Sequence, residues 1–221
     1  MKRVLVTGAG RGIGLEFARQ YAAEGWEVIA TVRDREAASA LPPGVRVELL
    51  DMRDLGGLAA FPERLGGEPL DLFVANAGLS KAKWIRTAGD AEDWQEVHAV
   101  NAVAPTLLAE GLLPLVEAAG GRMAALSSQM GSIADSSGGY VAYRASKAAL
   151  NAAWRALALR WRDRPVTLLL LHPGWVQTDM GGPGAPLPVA ESVAGMRRVI
   201  AGLRRRASGA FVDYRGAAVA W

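Results

Sequence analysis

Tyr143 and Lys147 stand four residues apart within the stretch 124–151, AALSSQMGSIADSSGGYVAYRASKAALN, in the first turns of an alanine-rich helical pattern. Four residues make about one helical turn, so both side chains project from one face. A phenol ordinarily titrates near ~10, and an ammonium within a few ångströms favours the phenolate and pulls that value toward neutrality. A tyrosine so placed can give or take a proton at physiological pH. Ser128, at the end of the preceding apolar run, offers a hydroxyl to the same reacting oxygen, with Ser127 and Ser132 as alternatives. Such a trio suits a carbonyl or an alcohol. The bland counterpart is an aromatic packed beside a solvated lysine, since this spacing also arises by chance.

Elements that would position the trio are legible along the whole chain. Residues 3–7 read as a buried strand, and Gly8, Gly12 and Gly14 follow before the amphipathic pattern Leu15, Phe17, Ala18, Tyr21. A glycine-rich turn from strand to helix lets backbone N–H groups and the positive helix end approach a pyrophosphate. The spacing is wider than the usual dinucleotide fingerprint. Further strands are expected at 27–32, 45–50, 70–75, 122–126, 166–171 and 210–214, with Asp34 as N-cap of an intervening helix. From Asp90, the residues Trp94, Val97, Asn101, Ala104 and Leu108 share one helical face, and Pro105 and Pro114 are expected to bend or divide that helix. After Lys147, Leu150, Trp154, Leu157 and Trp161 form another stripe. Strands alternating with helices read as an α/β chain of about seven strands.

Composition narrows the function classes. With 221 residues and no composition break, residues 1–221 read as one domain. The aliphatic runs are far shorter than the roughly 20 residues of a membrane span, and the start MKRVLVTGAGRGIG fails as a secretory signal. Neither membrane nor secretion is expected. Absence of cysteine fits the cytoplasm. The net charge of +3 includes Arg204, Arg205 and Arg206, which suit the negative end of a helix dipole better than a nucleic-acid patch. His98 and His172 lack a second ligand at useful spacing, so no metal is expected.

TGAGRGIG at residues 7–14, Asn76-Ala77-Gly78, Ser128, Tyr143 and Lys147 together resemble the short-chain dehydrogenase/reductase family in its single-domain form. RGIGLEFARQ, GGYVAYRASKAALN and the ending GAFVDYRGAAVAW are similar to its branch of sniffer-type carbonyl reductases and C-factor-like proteins. The resemblance implies a Rossmann-type doubly wound parallel sheet with helices on both faces, a nicotinamide cofactor, and hydride transfer to or from a carbonyl carbon. It implies Tyr143 as acid or base, Ser128 on the substrate oxygen, Lys147 on the nicotinamide ribose, and Asn101 bending its helix and holding a water against the lysine. Cofactor contacts are implied for Gly8, Arg11, Gly12, Ile13, Gly14, Ala77, Gly78, Pro173, Gly174 and Val176. Asp51 would meet the adenine amino group, the Met52 N–H the ring, and Thr178 the carboxamide; Asn76 would tie neighbouring strands together. Ser128 precedes Tyr143 by fifteen residues, a little more than the family's commonest spacing, so the intervening loop must bulge.

Arg11 and Arg33 can converge on a ribose 2′-phosphate, whereas Asp34 would favour the free hydroxyls of NAD. NADP(H) is therefore expected in preference, with NAD(H) possible. Met130, Trp175 and Met180 suggest an apolar substrate pocket beside a lid at 180–188. The expected activity is NADPH-dependent reduction of a small carbonyl compound by a homodimer or homotetramer. The competing expectation is a dinucleotide-binding signalling or regulatory protein of the C-factor kind.

Overall fold

Runs such as VLV, VIATV, LFVA and LLLL are apolar at consecutive positions, as strands covered on both faces must be. In the computed structural model, which describes residues 1–81 and 83–221, they form β1 (Arg3–Val6), β2 (Glu27–Val32), β4 (Leu72–Ala75) and β6 (Thr167–His172). With β3 (Arg46–Leu49), β5 (Arg122–Leu126) and β7 (Ala210–Asp213) they make one parallel sheet of seven strands in the order β3-β2-β1-β4-β5-β6-β7. The expected sheet is present, each strand within two residues of its predicted bounds.

Side chains alternate across this sheet. Leu5, Ile29, Phe73, Ala125 and Leu170 face α4 (Ala104–Ala118) and α5 (Val141–Arg160). Val6, Val74, Leu126 and Leu171 face α1 (Gly12–Ala23) and α6 (Val189–Gly202). Leu150, Trp154, Leu157 and Trp161 of the α5 stripe are all buried in this core, with the Trp154 ring 6.4 Å from Phe73. They therefore offer nothing to a second subunit, because covering the sheet consumes the whole stripe.

Three helical expectations differ in detail from the structure. The helical stretch after Asp34 is a short 3-10 helix, Glu36–Ala40, and not an α-helix: Arg35 holds the cap position, the Asp34 carboxylate accepts from Ala37 N at 2.9 Å, and Pro42 and Pro43 follow. The long helix begins earlier than Asp90, as α3 (Ala88–His98), where Thr87 and Asp90 form a reciprocal capping box. It is interrupted by a π-turn at Ala99–Val103, centred on Asn101, four residues before Pro105, whose missing N–H leaves the Asn101 carbonyl without its i→i−4 donor. Pro114 lies inside α4 without ending it. Over 88–118 the chain is long and apolar enough to cross a bilayer by length and composition, with a mean hydropathy of 1.5 over an 18-residue window. Leu108, Leu112 and Val116 of this stretch are fully buried in the core.

α2 (Leu55–Ala60) is short and capped by Asp54, whose carboxylate accepts from Gly57 N. Arg205, in the triplet after α6, donates to the carbonyls of Arg162 and Arg164 beyond the end of α5. Its charge has a structural use there.

Candidate functional site

The strand order reverses beside β1, between β1 and β4, where connections leave to opposite faces and open a crevice at the carboxyl ends. A cleft of about 910 Å³ lies there. Gly8, Arg11, Gly12, Ile13, Arg33, Asp51, Met52, Asn76, Ala77, Gly78, Tyr143, Lys147, Pro173 and Thr178 all line it. Residues from opposite ends of the sequence thus share one wall.

Gly14, Gly174 and Val176 stand outside the lining of this cleft. A Cβ at Gly14 would overlap Asn76 Nδ2 and the Gly8 carbonyl, so this glycine lets α1 approach the strands closely. Gly174 has φ +86° and abuts Leu187 and Tyr214, making the turn after β6. Val176 is buried and held in a bridge to Leu187.

The glycine-rich turn is braced from beneath. Asn76 Nδ2 donates to the carbonyls of Thr7 (2.8 Å) and Gly8 (3.1 Å), while Thr7 Oγ1 accepts from Asn76 N and Ala77 N. Gly8 and Gly12 adopt φ +66° and +54°, which side chains rarely allow. No side chain caps α1, so its first N–H groups remain available to an anion. These features fit a dinucleotide: a cleft of suitable volume, a cradle of glycines and cations at its rim.

Those cations already have partners. Arg11 pairs with Asp179 at 2.6 Å, and Arg33 lies 3.8 Å from Asp34. Arg53 grips Asp51 through two nitrogens and holds its carboxyl below the usual carboxylate range. Asp179 escaped sequence reasoning because its partner is 168 residues away.

Around Tyr143 the geometry selects among the serines. Ser127 donates to Asn151 Oδ1 at 2.5 Å, and Ser132 accepts from Asp135 N and reaches the Trp221 carbonyl. Ser128 is the serine whose hydroxyl acts on the Tyr143 phenol, favouring its ionised form, while its Oγ accepts from Met130 N at 3.1 Å. It also caps a 3-10 turn at Gln129–Gly131, which takes up the extra loop length.

Burial pushes the Tyr143 phenol above its ordinary value, and the Ser128 hydrogen bond offsets only part of that. This reverses the expected downward shift. Lys147, 4% exposed, is itself lowered to about 8 by burial; its Nζ donates to the Leu126 carbonyl at 2.7 Å and lies 5.7 Å from the Tyr143 ring centroid.

Asn101 is buried with its amide fully engaged. Its Oδ1 accepts from Leu79 N, and its Nδ2 donates to the Leu79 carbonyl and to Ser146 Oγ at 3.0 Å. Ser146 in turn donates to the Tyr143 carbonyl at 2.7 Å. This Asn101–Ser146–Tyr143 brace was missed in the sequence, although a serine between two site residues on a buried helix face was a usable signal.

Of the expected substrate residues, Met180 lines the cleft and Met130 and Trp175 do not. Trp175 Nε1 donates to the Gly181 carbonyl, folding its ring against the 180–188 loop. That loop is pinned by Gln177 N to Leu187 O and Leu187 N to Trp175 O. Among the described residues no group of three His, Cys, Asp or Glu could hold a metal ion.

Residues 2–185 match the protein family described as short chain dehydrogenase. The chain is 43% identical over 166 residues to C-signal of Myxococcus xanthus, covering 74% of this chain and all of that protein. Among solved structures it resembles carbonyl reductase Sniffer of D. melanogaster, at a TM-score of 0.92 and 30% identity with both chains fully covered. It also resembles an NADPH-bound carbonyl reductase from chicken fatty liver, at a TM-score of 0.89 and 35% identity, covering 100% of this chain and 99% of that one.

Proposed function

The chain belongs to the short-chain dehydrogenase family, and from that premise we propose that it is an NADPH-dependent carbonyl reductase with Tyr143 as proton donor. One observation carries this reading: the Tyr143 phenol stands at the cleft wall with the buried Lys147 ammonium 5.7 Å from its ring, one helical turn on. A tyrosine that holds its proton at neutral pH suits reduction, in which the carbonyl oxygen must be protonated.

Gly8, Gly12 and the open end of α1 would hold the pyrophosphate, and Lys147 the nicotinamide ribose. When bound, the nicotinamide supplies the hydride. Ser128 orients the substrate oxygen toward Tyr143, which transfers its phenolic proton to that oxygen. Lys147, an ammonium below about pH 8, stabilises the phenolate that remains. Asn101 and Ser146 fix the helical turn that carries Tyr143. Acid catalysis of this kind contributes roughly 10²–10⁴-fold in rate.

Preference for NADP(H) over NAD(H) is supported by Arg11 and Arg33 on the cleft wall and by Asp34, whose carboxylate is committed to the Ala37 N–H. The NADPH bound in the chicken liver relative agrees with it. The substrate is a small carbonyl compound, and the enzyme acts as a cytoplasmic homodimer or homotetramer.

Titration of the purified protein with NADPH, followed by NADPH oxidation against aldehydes, ketones and quinones, tests the reading. Saturable binding with turnover is expected; binding without turnover of any carbonyl would overturn it. That second result would favour a dinucleotide-binding signalling protein, the reading that the similarity to C-signal supports.

A further inference from the structure

Tyr140 is the one non-glycine residue with a left-handed backbone among the described residues, at φ 50° and ψ 41°. A side chain there is strained, and such strain persists only where surrounding structure or function imposes it. Gly138 and Gly139 just before it are also left-handed, at φ 75° and 70°. Three such residues in succession turn the chain sharply into α5 and leave the Tyr140 ring 43% exposed, one helical turn ahead of Tyr143.

The loop between β4 and α3 packs against this turn. A Cβ at Gly139 would come within 3.1 Å of Lys83 Cε. Lys83 Nζ lies 5.4 Å from the Tyr140 ring centroid and 5.8 Å from that of Trp84, itself 46% exposed. Arg86 Cζ lies 6.0 Å from the centroid of the same Trp84 ring. The same loop begins at Gly78, where a Cβ would stand 3.6 Å from Lys147 Nζ. The loop thus leaves the cleft wall at Gly78 and Leu79 and meets, at Lys83, the turn that ends three residues ahead of Tyr143.

Its charge is unbalanced. Lys83 forms no ion pair among the described residues; Arg86 exerts its charge on Asp90, and the other carboxylates around the loop are engaged elsewhere. Asp93 and Glu96 bind Lys81, Asp90 accepts from Arg86 N and Thr87, and Asp135 accepts from Gln129. Two half-exposed aromatic faces beside the unneutralised Lys83 match a planar apolar body carrying a negative charge.

We propose that Lys83, Trp84 and Tyr140 form an outer subsite that selects aryl aldehydes or ketones bearing a carboxylate remote from the carbonyl. The inference rests on the carbonyl reductase reading and names its substrate class. The aryl ring packs on Trp84 and Tyr140, and the carboxylate meets the Lys83 ammonium.

With NADPH saturating, kcat/KM is measured for 4-carboxybenzaldehyde, benzaldehyde and 4-(trimethylammonio)benzaldehyde, in wild type, Lys83→Gln and Tyr140→Gly. The wild type should favour the carboxylate over its cationic counterpart, and added salt should reduce that preference. Lys83→Gln should lower the ratio of 4-carboxybenzaldehyde to benzaldehyde by about threefold to fivefold, the scale of one exposed ion pair. Because each variant is compared with wild type on both substrates, intrinsic differences in aldehyde reactivity cancel. Tyr140→Gly should melt at a higher temperature, because glycine accepts φ 50°, and yet lower kcat/KM for 4-carboxybenzaldehyde and benzaldehyde alike, leaving their ratio near that of wild type. An unaltered ratio in Lys83→Gln would overturn the subsite, as would a Tyr140→Gly variant of raised melting temperature that keeps wild-type kcat/KM for both aryl aldehydes. Failure of the wild type to reduce any of the three aldehydes would instead count against the reductase reading itself.

Discussion

Burial and hydrogen bonding pull the Tyr143 phenol in opposite directions, and burial dominates. Replacement by phenylalanine removes only the hydroxyl from a half-buried ring, so Tyr143→Phe should bind NADPH as wild type does and lose about 10²–10⁴-fold in carbonyl turnover. Turnover near the wild-type rate would remove Tyr143 as proton donor. Asp179 is a second test at this scale. It occupies Arg11 in an exposed pair, with side chains 82% and 78% exposed, over a cleft expected to receive phosphate. Asp179→Asn should free the guanidinium and tighten NADPH binding by about twofold to fivefold, as the small net worth of surface pairs dictates. Weaker binding in that variant, by fluorescence titration, would show that the pair supports the bound state instead. Tyr143 and Lys147 could be recognised in the sequence because one helix carries both. The direction of the phenol's shift could not, since it depends on burial by segments remote in the chain.

Glycine positions decide how closely the elements approach. A methyl at Gly14 would meet the Gly8 carbonyl and Asn76, neither of which can retreat while Asn76 holds Thr7 and Gly8. Gly14→Ala should therefore cost about 1–3 kcal/mol in denaturant unfolding and weaken NADPH binding. Gly202, at the end of α6, has open space around it and an ordinary φ. Gly202→Ala should be neutral or stabilise by about 0.4–1 kcal/mol. Equal effects at both sites would mean that packing against the glycine-rich turn does not limit α1. Strands were legible at this scale because their apolar runs are continuous, and α5 because its stripe is long. The break in the α3–α4 stretch was legible only in part: Pro105 is visible in a sequence, but the π-turn at Asn101 also answers to Leu79 and Ser146, which only the fold brings near.

Assembly of the whole molecule places a lysine almost out of contact with water, with a consequence for stability. Lys147 titrates at about 8 in the folded chain against an ordinary 10.5, because burial disfavours the ammonium. Between these values the unfolded chain binds more protons than the folded one, so stability rises with pH across that window. The cost is fully present below about pH 8 and is relieved toward 10.5. A shift of this size corresponds to about 3 kcal/mol. Two phenols act oppositely at higher pH: Tyr21 is pushed up to about 12 by burial and Tyr143 is also raised, so their contribution is complete below about 10 and declines as pH rises through the raised values. His172, lowered by burial, adds a loss of stability as pH falls through its ordinary 6.5. The melting temperature of the cofactor-free protein should therefore increase from pH 7.5 to about 9.5 and turn down beyond 10. Lys147→Met, with no proton to lose, should show no rise between 8 and 9.5. Calorimetric melting across this range decides it: a flat or falling wild-type curve, or an equal slope in Lys147→Met, would mean that the buried ammonium carries no such cost.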